Sequence, residues 1–259
     1  MEMTPQILYP NKLIYFSACF FLFFYSQSVL ASNLPDCPSD RPRDWDQCIG
    51  ERTFRDGSKY SGEFIANHPG GEGTLIWSDG TIYKGQLQRA RPEGNGTIKS
   101  ISGEEISGEW KDGKLNGTGK EIWPNGEKYV GDFVDNEPKG IGTYVWPDGI
   151  KYMGDFKSYL ANGEGIQIWP DGRKYSGHFR DSRFEGFGAF SWPDGAKYMG
   201  QFLNGKARGD GVLYYPKGEK YVGQWRDGMK DGYGVYFGSN GEIMAEGLWR
   251  DDKFIESGK

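Results

Sequence analysis

Residues 129–151 read YVGDFVDNEPKGIGTYVWPDGIK, and this 23-residue stretch decides the fold. Moved along the chain in steps of 23, its frame falls on Tyr152–Lys174, Tyr175–Lys197, Tyr198–Lys220 and Tyr221–Ile243. In the other direction it falls on Ile106–Lys128, Tyr83–Glu105 and Tyr60–Ile82. A fixed period of this length is the signature of a repeat architecture. Eight full copies therefore span 60–243. Four columns are glycine in every copy, at Gly131, Gly140, Gly142 and Gly149 of this one. So strict a column marks backbone at positive φ, or a group packed directly on the chain.

Inside the unit, Lys128 to Phe133 alternates with period two. Tyr129, Gly131 and Phe133 thus share one face, while Lys128, Val130 and Asp132 share the other. Gly142–Trp146 is again β-rich, and Trp146-Pro147-Asp148-Gly149 reads as a tight turn. Residues 134–139 read as a longer, variable hairpin loop. Each repeat is then a β-hairpin, and eight of them form an all-β, elongated, single-layer antiparallel meander, roughly 75–80 Å long at ordinary strand spacing. Rings from the Tyr, Phe and Trp columns, lying over neighbouring glycines, stand in for a conventional core. Ser100-Ile101-Ser102, Leu87 and Ile106 break the pattern, which predicts a weakened or bent sheet near residues 98–108.

The flanks read differently. Lys12, the apolar run Leu13–Tyr25 and Val29-Leu30-Ala31 form a leader over 1–31 with a mature start at Ser32, so the chain is read as exported, periplasmic or secreted. The alternative is an uncleaved anchor over Leu13–Leu30. Cys37 and Cys48 are then the only two cysteines of the mature chain, which reads as one disulfide in an N-terminal cap over 32–59, a half-repeat included. At the far end, over 244–259, Gly247 arrives one residue late, and a terminal strand runs into a charged tail expected to fray.

Charge and spacing exclude several functions. A net charge of −5 argues against nucleic-acid binding, which needs a basic face. Asp79, Asp148, Asp171 and Asp194 recur once per hairpin, about 9–10 Å apart in neighbouring repeats, too far to share a calcium ion, so they read as turn formers. His68 and His178 have no nucleophile or metal-ligand partners dictated by the sequence. No catalytic, cofactor or metal site is read from this chain. Lys59, Lys128, Lys151, Lys174, Lys197 and Lys220 stand in one column beside acidic Glu63, Asp132 and Asp155. They are read either as a stripe for anionic headgroups or as half of a cross-strand charge pairing. Asn95-Gly96-Thr97 and Asn116-Gly117-Thr118 match glycosylation sequons, or follow simply from the glycine columns.

Trp110-Lys111-Asp112-Gly113-Lys114-Leu115-Asn116-Gly117-Thr118-Gly119 and Tyr221-Val222-Gly223-Gln224-Trp225-Arg226-Asp227-Gly228 resemble the MORN (membrane occupation and recognition nexus) repeat. The resemblance covers about Cys48 to Trp249. It implies a non-enzymatic interaction surface, with protein partners and phospholipid membranes as the alternatives. Two sets of residues are candidates for binding. One is the aromatic face formed by Tyr129, Phe133, Tyr152, Phe156, Tyr175, Phe179, Tyr198 and Phe202. The other is the hairpin-tip edge, with Arg183, Phe184, Lys206 and Arg208.

Overall fold

The computed structural model describes residues 33–41 and 43–257. The leader and the Ser32 start lie outside them. The described residues form nineteen strands in one open sheet, each antiparallel to the next in the chain. A repeat consists of a seven-residue strand such as Lys128–Val134 and a nine-residue strand such as Glu137–Val145.

One of the two turns differs from expectation in length. Asp135-Asn136, with φ of 52° and 72°, forms a two-residue turn, so residues 137–139 belong to the following strand and no long loop exists there. Positive φ at both central residues matches the twist of the flanking strands. The Trp-Pro-Asp-Gly turn is the wider one. Gly149 N donates to Trp146 O at 2.9 Å, and Trp146 N donates to Ile150 O at 2.9 Å. The Asp148 carboxylate accepts Ile150 N at 3.0 Å. Gly149 closes the turn at φ 86°, a conformation that a side chain would strain.

Each hairpin also contains a bulge. Gly131 pairs with Gly142, but Phe133 pairs with Pro138, so Asp132 faces surplus backbone. That surplus is sealed from both sides. The Tyr129 hydroxyl donates to Asp132 O at 3.1 Å, and the Asp132 carboxylate accepts Ile141 N at 3.1 Å. The same bonds recur at Tyr152 and Asp155 and at Tyr221 and Gln224. The bulge frees an N–H from the strand ladder, and an acceptor side chain in this column, a carboxylate or an amide in these repeats, takes it up. Between repeats no bulge intervenes, and Lys151–Lys157 pairs with Glu137–Val145 in unbroken register.

The rings form the interior. A Cβ added to Gly142 would lie 2.5 Å from the Tyr129 hydroxyl oxygen, and one on Gly165 would lie 2.5 Å from the Tyr152 ring. Each tyrosine therefore lies flat against the facing strand, where only glycine leaves room. Phenylalanine and tryptophan close the gaps. Tyr152 sits edge-on to Phe156 at 5.0 Å and to Phe179 at 4.8 Å, and Tyr175 does the same with Phe179 and Phe202. This zipper runs to Tyr221, with Trp225 and Trp249 at its end.

The irregular repeat at 83–105 keeps the pairing. Arg91–Lys99 and Glu105–Lys111 pair from Gly94–Trp110 to Lys99–Glu105 without a shift. Ser100 replaces the turn tryptophan and its Oγ accepts Glu104 N at 3.0 Å, so the ladder is not interrupted near 98–108. The late Gly247 is absorbed by a bulge opposite Tyr236 and Phe237. Beyond it, Asp251-Asp252 turns the chain and Lys253–Ser257 adds a final strand where a frayed tail was expected.

At the N-terminal end Cys37 and Cys48 are joined by a disulfide, with Cα atoms 4.9 Å apart. Trp45 stands edge-on to Phe64 at 4.7 Å, in the role that a preceding repeat's ring would fill. The Arg52 guanidinium lies over both rings, 4.5 and 4.7 Å from their centroids. The first repeat's rings are thus covered without an upstream neighbour, as end units of an array require.

Candidate interaction surfaces

Tyr129, Phe133, Tyr152, Phe156, Tyr175, Phe179, Tyr198 and Phe202 are 0–7 % exposed. They are the core of the array, not an aromatic surface. A single layer buries them because the rings lie along the sheet over glycine rather than standing up from it. Pro138, Leu115 and Ala161, which follow the two-residue turns, cap them from the side. Burial also holds the phenol groups of Tyr129, Tyr152, Tyr175 and Tyr198 well above the ordinary tyrosine pKa.

The hairpin-tip residues divide. Phe184 is half-buried, stacked on Tyr175 at 3.8 Å, and belongs to the ring side. Arg183, Lys206 and Arg208 are exposed on the edge beside the two-residue turns. Arg183 borders a hollow of about 370 Å³ with Arg180, Glu185, Leu203 and Asn204. Arg208 borders a second, of about 520 Å³, with Leu203, Arg226 and Asp231 among its lining. The two hollows share Leu203. Arg226 is bound to Asp231 at 2.6 Å and Arg180 to Glu185 at 3.5 Å, so two guanidinium groups are held by carboxylates along this edge. Arg180, Arg226, Glu185 and Asp231 escaped the sequence reading. Their signal was there: each arginine closes a seven-residue strand just before its turn.

The face opposite the rings is open, and its make-up changes along the array. Cross-strand register places one central residue of each strand in a continuous row. From the N-terminal end it runs Glu51, Ser61, Thr74, Lys84, Thr97, Ser107 and Lys120, all polar. From Val130 it turns mainly apolar, through Met153, Ile166, Met199, Val212 and Val222 to Val235, with Thr143, Ser176 and Ala189 between. Glu246 ends it. Beside this row Ile141 is 67 % and Phe187 70 % exposed, and a shallow hollow of about 710 Å³ lies over Phe187, Met199, Val212 and Val222.

The lysine column flanks the row on one side, but not as half of a charge ladder. Lys128 pairs across to Val145, which also faces Lys151, and Ile168 stands between Lys151 and Lys174. No carboxylate comes within 4.0 Å of Lys128, Lys151, Lys174, Lys197 or Lys220 among the described residues. Asp132 and Asp155, on the other side, accept backbone N–H groups instead.

One polar group interrupts the ring side. Glu121 takes the position that Tyr144 and Phe190 hold in other repeats, and it is 4 % exposed. It accepts the Tyr159 hydroxyl at 2.8 Å. Burial, with the nearby carboxylate of Glu104, pushes its pKa up to about 7. His178 lies 3.4 Å from Glu164 on the open face. No group of three or more His, Cys, Asp or Glu side chains is arranged to hold a metal among the described residues.

The geometry defines a class first: an all-β array of hairpins whose chemistry is displayed on a rigid strip. The MORN repeat family model matches residues 60–82, 107–128, 129–151, 152–172, 175–197, 198–220 and 221–243, and this chain belongs to the MORN repeat family. The repeat at 83–105 is passed over, although it folds like the others. No curated protein matches the sequence. Among solved structures the chain is similar to the TCP domain of SAS-4 (dCPAP) of Drosophila melanogaster, solved in complex with a proline-rich motif of Ana2. The identity is 15 %, over 68 % of this chain and 90 % of that one, with a TM-score of 0.40. The TCP10 domain of Danio rerio CPAP, in complex with a STIL peptide, is similar at 17 % identity over 78 % of this chain and 99 % of that one, with a TM-score of 0.30. Likeness at this level says nothing of partners.

Proposed function

We propose that this chain is an exported, non-enzymatic scaffold that holds a protein partner along its turn edge. The observation that carries the reading is the surface left once the rings are interior: Arg183, Lys206 and Arg208 beside two adjoining hollows on a rigid edge. Side chains presented by a fixed scaffold are where specificity usually sits. The Cys37–Cys48 disulfide supports export, because such bonds persist in oxidising compartments. No helix among the described residues is long and apolar enough to cross a membrane.

A photoreactive residue at position 208, in the chain expressed by its own host, tests the reading. One discrete protein adduct is expected, lost on Arg183→Glu plus Lys206→Glu with thermal stability unchanged. An adduct indifferent to that variant, or none at all, sinks it. The second reading is peripheral docking on anionic phospholipid, favoured by a lysine column with no carboxylate within 4.0 Å of Lys128, Lys151, Lys174, Lys197 or Lys220 among the described residues. Flotation with anionic vesicles at two salt concentrations separates the two, since headgroup binding fades as salt rises.

A further inference from the structure

We infer that the open face from Val130 to Val235 is a self-association surface, and that its occupant is a second copy of this chain stacked face to face. The first argument is area. The apolar stretch crosses ten strands, so it is roughly 48 Å long at 4.8 Å per strand. With its two flanking rows it is about 17 Å wide, which gives about 800 Å² per copy, the size of a standard specific interface. Two sheets stacked in this way sit about 10 Å apart.

The second argument is charge. On each seven-residue strand of this stretch a lysine lies on one side of the central row and a carboxylate, imidazole or amide on the other. The pairs include Lys128 with Asp132, Lys151 with Asp155, Lys197 with Gln201 and Lys220 with Gln224. A two-fold axis along the length of the sheet reverses strand direction and keeps strand order. It lays Lys128 and Lys151 of one copy over Asp132 and Asp155 of the other, twice over by symmetry. It also sets Lys197 and Lys220 against the amide oxygens of Gln201 and Gln224, and each central-row residue against its own counterpart. A two-fold axis along the strands would instead put lysine on lysine. Only the first arrangement joins like apolar rows and opposite charges, and no carboxylate comes within 4.0 Å of these lysines among the described residues of one copy. The row ends in Lys120 and Glu246, whose like charges would meet across the axis, and this sets the limits of the contact.

Sedimentation velocity of the disulfide-intact chain, from about 1 to 500 µM, is the test. A monomer–dimer equilibrium is expected. Met199→Lys plus Val222→Lys should weaken it at least tenfold, with the thermal unfolding midpoint unchanged because neither side chain touches the ring zipper. Ala189→Cys should be linked copy to copy by a short bis-maleimide of about 10 Å reach, while Ser61→Cys, in the polar stretch, should not. A wild-type chain that stays monomeric at 500 µM overturns the inference. So does a dimer that survives the double lysine variant, or Ser61→Cys linking as well as Ala189→Cys. A monomer that floats with anionic vesicles, and loses this in Met199→Glu plus Val222→Glu, assigns the face to lipid and overturns the inference. The test leaves Arg183, Lys206 and Arg208 intact, so its failure and that of the turn-edge reading are independent.

Discussion

The side of the sheet that carries the rings and the side that lies open are made by the same strands, yet they change along the chain in different ways. From Tyr60 to Trp249 the ring side keeps one motif, a ring laid on glycine and packed against others, with Leu87, Ile106 and Glu121 as its interruptions. The open side changes at a single step, from Lys120 to Val130, and stays mainly apolar to Val235, with Thr143 and Ser176 in the row. The fold rests on the side that varies least. The open side contributes little to folding and is free to differ, so chemistry specific to this protein collects there and on the turn edge.

The contrast breaks first at the glycines. Gly165→Ala brings a methyl group against the Tyr152 ring and should cost about 3 kcal/mol, read by chemical denaturation. Thr143→Ala, on the open row, should stay within about 0.5 kcal/mol. Next comes the cap. Cys37→Ser plus Cys48→Ser should remove about 2–3 kcal/mol, with hydrogen exchange rising first over Cys48–Thr53.

Glu121 gives the ring side a pH dependence. Its folded pKa of about 7 lies above the ordinary glutamate value, so the folded state binds the extra proton. Stability from this group is therefore full below about pH 4.5 and falls as pH rises through 7, by something on the order of 2 kcal/mol. Glu121→Gln should flatten that fall between pH 5 and 8 in melting curves, and an unchanged slope would remove the carboxyl from the account. A smaller loss, about 1 kcal/mol, is expected for Tyr152→Phe, which leaves the Asp155 carbonyl without its phenol donor. The smallest change in stability sharpens the comparison most. Ser107→Val plus Lys120→Val carries the apolar row two strands further, should leave the stability within about 0.5 kcal/mol, and should lengthen the self-associating strip as seen by sedimentation.

Much of this was legible in the residues. Period 23 marked the hairpins, period two divided Tyr129 and Phe133 from Val130 and Asp132, and Cys37 with Cys48 marked the cap. Two readings failed for local reasons. Asp135-Asn136 was read into a long loop over the variable residues 134–139, although Asp and Asn tolerate positive φ well enough for a two-residue turn. The tail after Arg250 was read as frayed because it is charged, although Asp251-Asp252 forms the same turn and pairs a last strand. The turn-edge arginines were passed over because Arg180 and Arg226 differ from the residues of their column in other repeats, Val134 and Lys157 among them.

The sequence settled the repeat and the glycine columns through their fixed spacing of 23, and the strand parity through residues one or two positions apart. It could not show which face stays dry. That depends on whether a ring stands up or lies down, which is decided by a glycine on the facing strand, thirteen residues away in the case of Tyr129 and Gly142. Nor could it show the open row, since Val130, Thr143 and Met153 become neighbours only through a cross-strand register that the bulges offset in every hairpin. Packing over distances longer than a hairpin turned a set of periodic columns into one buried core and one exposed strip.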